Sequence, residues 1–166
     1  MLGDLHARVC ANAFNENVSA FSHVSLEACR GAEAVVNGWL NTADIGQFDA
    51  AGWLTPIDRK KDIIIRGCEN LYPAEIEEVL VSLDAVREAA VVGRADPVMG
   101  EVPIAFVALR ARARRESLIS ELAEHLASCK IPVAFHVLEA LPRNPIGKID
   151  KPSLRAMNTA QLEEIL

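Results

Sequence analysis

The sequence predicts an α+β fold, a small mixed domain with helices packed on a sheet of about three strands and a β-hairpin ahead of it. Three observations carry that expectation. Apolar residues recur at helical spacing in two stretches, short apolar runs bounded by glycine or charge stand between them, and the two kinds of segment alternate along the chain. Hydrophobic residues make up 51% of the 166, enough for a packed core.

Residues 1 to about 32 show no sustained periodicity, and FNENVSAFSH reads as a loop. This part is expected to be ordered by packing on something else, or not at all. IGQFDAAGWLTPI then places two apolar runs around Asp49-Ala50-Ala51-Gly52, a hairpin with glycine at its turn. The charge run DRKKD interrupts the sheet pattern, and Ile63-Ile64-Ile65 reads as a buried strand closed by Gly67. YPAEIEEVLVSL opens with a proline suited to a first helical turn, and Ile76, Val79, Leu80 and Leu83 mark one helix face. VREAAVVGRAD and EVPIAFVALR are strands. ESLISELAEHLASC is a second helix with Leu118, Leu122 and Leu126 on one face and Ser117 as its cap. AFHVLEAL is a short strand, LPRNPIGKIDK a loop, and KPSLRAMN a terminal helix.

Composition narrows the function. Seventeen basic against 23 acidic residues give a net charge of −6, which argues against a nucleic-acid partner or an anionic membrane surface. No apolar run reaches the roughly 20 residues of a membrane span, and MLGDLHARVCANAF does not read as a secretory signal. Cys10, Cys29, Cys68 and Cys129 form no CxxC pair, and His6, His23, His125 and His136 are equally scattered. Neither a disulfide framework nor a metal site is expected, and the pattern suits a reducing cytoplasm.

Lys148 is the first candidate for chemistry. The GK pair fails as a phosphate-cradling P-loop, because Pro142 stands where the first glycine belongs and Ile149 follows where Ser or Thr should hold magnesium. What remains is a compact cation on a loop whose φ angles are restricted at Pro142 and Pro145. It is either a point charge for phosphate or carboxylate oxygens or a solvated lysine in a turn. Asp44, beside Thr42, reads as a loop-end aspartate that either accepts from a vicinal diol or caps a turn. Arg59, within DRKKDIIIRG, is either a ligand or part of a solvated connector.

In combination these stretches resemble one family. GWLNTADIGQFDAAGWLTPIDRKKDIIIRGCENLYPAEIEEVL, DPVMGEVPIAFV and LPRNPIGKIDK follow in the order and spacing of the adenylate-forming superfamily, from about Ala34 to Met157. Its members are the acyl- and aryl-CoA synthetases, peptide-synthetase adenylation domains and firefly-type luciferases, and ENLYPAEIEEVL is similar to the acyl-CoA synthetase branch. The resemblance implies a mobile C-terminal domain at 59–157, preceded by the tail of a large adenylating domain at 38–58. Residues 1–37 are left unassigned and 158–166 form a tail.

It implies that Lys148 is the adenylation lysine, that Asp44 and Arg59 hold the adenylate ribose, and that Lys61 is the hinge. Gly67, Cys68 and Glu69 would face the CoA channel. ATP or AMP with magnesium would be held mainly by an N-terminal adenylating domain, the chief partner, with CoA and the acyl-adenylate as further ligands. A homodimer through the N-terminal segment is also entertained. The activity implied is an ATP-dependent ligase joining a fatty or other carboxylic acid to CoA, in which this chain alone is inactive. A stand-alone binding module derived from that domain is the alternative. The chain departs from the family at Ala43, where glycine is usual, at Cys68, where many CoA ligases have a second glycine, and in having no counterpart of the Ser/Thr/Gly-rich ATP loop.

Overall fold

The computed structural model describes residues 2–8, 35–36, 39–51, 53–111, 113–157 and 163–164. The chain divides into two compact units, Met1–Lys61 and Asp62–Leu166.

In the first unit four strands join through one long strand. β1 (Leu2–Arg8), β2 (Val35–Val36) and β4 (Leu54–Arg59) each pair antiparallel with β3 (Trp39–Phe48). The β3–β4 hairpin is closed by Asp49, whose Oδ1 accepts from the N–H groups of Ala51 and Trp53. An Asx side chain turning its own backbone is the expected device here. Leu2–Arg8, in the stretch to which the sequence assigned no element, is a strand. Its order comes from the β3 edge rather than from any alternation of its own. The stretch FNENVSAFSH, and with it the expected contact with a second copy, lies outside the described residues.

The second unit is a mixed sheet with helices on both faces. Its elements are β5 (Ile64–Arg66), β6 (Glu69–Leu71), α1 (Pro73–Ser82), β7 (Val86–Asp96), β8 (Gly100–Leu109), α2 (Arg115–Ala123), β9 (Ala134–Val137), α3 (Lys151–Ala156) and β10 (Glu163–Glu164). The strand order is β10-β9-β8-β5-β6, with β7 along the other edge of β8. β9 runs parallel to β8, and α2 supplies the crossover that a parallel pair needs.

Period-two alternation sorts the core into two layers. Val91, Ala105, Val107 and Phe135 face α1 and α2, packing with Ile76, Leu80, Leu118 and Leu122. Val92, Ile104, Phe106 and Ala134 face the other way and pack with Leu141 and Leu154. Coverage of both faces explains why β8 is an unbroken apolar run from Val102 to Ala108. Leu154 is fully buried, and such a side chain contributes about 2 kcal/mol of apolar burial.

Several expectations need correcting. Six strands stand in this sheet among the described residues, not about three, because β6 and β10, of three and two residues, are too short to show a periodicity. Only Ile64 of the isoleucine run is core; Ile65 is 57% exposed because this strand has one buried face. α2 begins at Arg115 with Arg114 at its cap and no side-chain cap bond, so Ser117 lies inside the helix. Leu126 is buried but follows the helix end at Ala123. Asp44 sits within β3 rather than at a loop end.

Candidate functional site

The loop carrying Lys148 is built around Asn144. Asn144 Oδ1 accepts from the N–H groups of Ile146 at 3.1 Å and Lys148 at 2.9 Å. The Asn144 backbone donates to Lys148 O and accepts from Gly147 N, at 2.8 and 2.9 Å. Gly147 takes φ +81°, which only glycine adopts without strain. Arg143 clasps the loop from outside, with Nη1 on Gly147 O at 2.7 Å and Nη2 on Glu88 of β7 at 2.9 Å. The bond from Asp150 N to Pro142 O closes the base, and the Asp150 carboxylate then caps α3 through Ser153.

Lys148 itself is exposed and makes no ion pair among the described residues. A cation is thus displayed on a turn whose shape is fixed from within. Behind it, Lys151 pairs with Glu77 at 2.8 Å, and Arg155 reaches Asp62 at 2.7 Å. Asp62 is 7% exposed and is the first residue of this unit, so the pair bolts the start of the unit to the helix that follows the lysine loop.

In the first unit Asp44 and Arg59 face one another across the β3–β4 pair, and Arg59 Nε donates to Asp44 Oδ1 at 2.7 Å. Both remain substantially exposed. Ala43, the residue before Asp44, takes φ +58°. An alanine there costs about 1 kcal/mol that glycine would not, which accounts physically for the glycine usual at this position. Lys61 lies in a short 3-10 turn, Lys60–Asp62, and the division between the two units falls directly after it.

Gly67 and Cys68 are the two turn residues of the β5–β6 hairpin, since Arg66 pairs with Glu69. Gly67 has φ +60° and Cys68 does not have a positive φ. That combination marks a type II′ turn, which demands glycine only at its first position. Cys68 in place of a second glycine is therefore no strain on the backbone. The turn opens on a cleft of about 520 Å³ lined by Arg66, Gly67, Cys68, Glu69, Met99 and Cys129. Arg66 Nη1 donates to Cys129 O, holding the Ser128–Lys130 turn beside the hairpin.

The two thiols in this cleft differ. A hydrogen bond with Glu69, and then burial, push the Cys129 thiol above its ordinary value, whereas Cys68 is exposed. Since the thiolate is the reactive form, Cys129 should react more slowly at pH 8. A short iodoacetamide pulse followed by peptide mapping is expected to label Cys68 ahead of Cys129; equal labelling would contradict this.

Among the described residues, no group of three or more His, Cys, Asp or Glu is arranged to hold a metal ion, and no helix is long and apolar enough to cross a membrane. The sequence reading singled out Lys148, Asp44, Arg59, Lys61 and Gly67 to Glu69. It missed Asn144, Asp62, Arg155 and Glu101. For Asn144 a signal existed, since an asparagine between prolines and four residues before the lysine is an Asx-turn former.

Residues 75–148 match the family described as AMP-binding enzyme C-terminal domain. The chain carries the C-terminal domain of the adenylate-forming enzymes. A curated relative, the 2-succinylbenzoate–CoA ligase of Bacillus cytotoxicus, is 46% identical over 125 residues, which are 75% of this chain and 26% of that protein. This adenylate-forming domain chain thus spans about a quarter of the length of the curated relatives it matches.

Among solved structures it is similar to the o-succinylbenzoate CoA synthetase of Bacillus subtilis in complex with its acyl-adenylate intermediate, with TM-score 0.73, 42% identity, and coverage of 77% of this chain and 26% of that one. The same synthetase is also known in complex with ATP and magnesium ion. A fatty acyl CoA synthetase of Mycobacterium tuberculosis is similar with TM-score 0.63 and 42% identity, over 81% of this chain and 26% of that one.

Proposed function

We propose that this chain is the mobile C-terminal part of an ATP-dependent CoA ligase, inactive until joined to an N-terminal adenylating domain. Lys148 is its adenylation residue. The observation that carries this reading is an exposed lysine displayed on a loop closed by its own hydrogen bonds.

A carboxylate attacking the α-phosphorus of ATP brings two anions together, and pyrophosphate leaves. Negative charge grows on the phosphoryl oxygens, and a positioned ammonium stabilises it. Asp44 and Arg59 form the ribose contact: Arg59 engages one oxygen of Asp44 and leaves the second to accept from the diol. Magnesium and most of the ATP are assigned to the adenylating domain.

Lys61 serves as the hinge, and the break between the two units beside it supports that role. Turning about it withdraws Lys148 and brings the Gly67–Glu69 turn to the adenylate, where CoA thiol replaces AMP. The names of the relatives favour a succinylbenzoate-type acid over the fatty acid that the sequence left open.

Putting this chain in place of the matching stretch of the Bacillus cytotoxicus ligase tests the reading. The chimaera is expected to release pyrophosphate and form CoA thioester from 2-succinylbenzoate. A folded chimaera that does neither refutes it. With the adenylating domain native to this chain, a preference for palmitate over 2-succinylbenzoate would overturn the choice of acid alone.

A further inference from the structure

β5 is the strand that carries the Gly67–Glu69 turn, and its attachment to the rest of the sheet is slight. Its ladder with β8 consists of one register pair, Arg66 with Gly100. The hairpin register shows what this leaves open. Arg66–Glu69 closes the two-residue turn and Ile64–Leu71 is the next bonded pair, so the N–H of Ile65 points away from β6, toward β8.

No backbone carbonyl meets that N–H. The Glu101 side chain does, with Oε2 accepting from Ile65 N at 3.0 Å. Room for the carboxylate is made on β7: a Cβ added to Gly93 would lie 3.2 to 3.3 Å from the Glu101 carboxyl atoms. The tip of the β7–β8 hairpin supports the same turn from its far end. Gly67 N donates to Met99 O at 2.7 Å, and Asp96 Oδ1 fixes the tip by accepting from Val98 N at 2.9 Å and Met99 N at 2.8 Å. Gly100 takes φ +79°, and a Cβ added there would stand 3.5 Å from Ile65 O.

From this geometry we infer that Glu101 is a positioning residue for the thioester half-reaction, acting through Ile65 N–H to set where the Gly67–Glu69 turn stands. The inference rests on the CoA-channel reading of that turn given above. Glu101 touches neither nucleotide nor acid. It replaces a missing rung of the sheet, so that a three-residue strand holds its turn at a fixed height. Lys148 is held by a separate set of bonds, from Asn144, Arg143 and Asp150. Loss of the Glu101 contact should therefore separate the two half-reactions.

The test uses the chimaeric ligase and two assays: pyrophosphate exchange for adenylation, and single-turnover transfer from preformed adenylate to CoA. Glu101→Ala is expected to slow transfer roughly 10- to 100-fold, the scale of a sub-ångström to ångström misplacement of a reacting assembly. Pyrophosphate exchange should stay within about twofold of the parent, in keeping with that separate support of Lys148. Glu101→Gln, which keeps an acceptor oxygen, should restore most of the transfer rate. Gly67→Ala, which strains the turn directly, serves as the reference.

If Gly67→Ala slows transfer and Glu101→Ala does not, Glu101 has no positioning role. Equal loss of both half-reactions in Glu101→Ala, with a matching fall in the unfolding midpoint, also overturns the inference, because the residue then serves only stability. A Gly67→Ala chimaera with undiminished transfer overturns the CoA-channel reading and the inference with it.

Discussion

Lys148→Ala in the chimaeric ligase is expected to lower the rate of adenylation by roughly 10²- to 10³-fold, the cost of removing one preorganised donor to a developing oxyanion. KM for ATP should change little, because the ammonium acts on charge that appears in the transition state rather than on the bound nucleotide. Transfer from preformed adenylate to CoA should be spared, since that step runs with the lysine withdrawn. Stopped-flow detection of pyrophosphate, followed by thioester assay on supplied adenylate, reads both numbers. A variant that adenylates at the parental rate would remove the lysine from the mechanism. Equal loss in both steps would instead make it a structural residue, which its exposure argues against.

The second large effect concerns Asp62 and Arg155. Arg155→Leu strands a carboxylate that is 7% exposed and whose partner stood at 2.7 Å. Leaving a buried polar group unsatisfied costs about 1–3 kcal/mol, with charge pushing toward the upper end and the partial exposure of the arginine pulling back. Denaturant unfolding of the chain should show that loss. Asp62→Asn in the Arg155→Leu background should recover part of it, because no ion then remains without a partner. If the double variant is no more stable than Arg155→Leu, the pair is not the source of the effect. In the chimaera the same break should weaken adenylation, since Asp62 and α3 then move independently across the bond that ties hinge to lysine loop.

Much of the second unit could be read from the chain itself. Ile76, Leu80, Leu118 and Leu122 announce two helices because each buries one face against a continuous sheet. β7 and β8 announce themselves because both faces are covered, so Ala89 to Val92 and Val102 to Ala108 are apolar without a break. What escaped reading was whatever depends on partners distant in sequence. β1 is a strand because β3 offers an edge, β5 is held by a side chain 36 residues away, and Asp62 finds its cation 93 residues on. No window of neighbouring residues contains those facts. The candidate site divides in the same way: Lys148 and Gly67 stand out by local turn chemistry, whereas Glu101 and Arg155 look like any other surface charge until the fold is in hand.

The loop around Asn144 has a consequence for speed. Its turn is wound by Asn144, Gly147, Arg143 and Asp150, all belonging to the same stretch of chain, and its shape owes nothing to any visiting molecule. The disorder such a loop would otherwise surrender at each catalytic cycle has been removed once, when the polypeptide folds. Each return stroke then has to orient only one flexible four-carbon arm, and turnover is governed by how fast the whole body swings rather than by how fast a floppy segment finds its form.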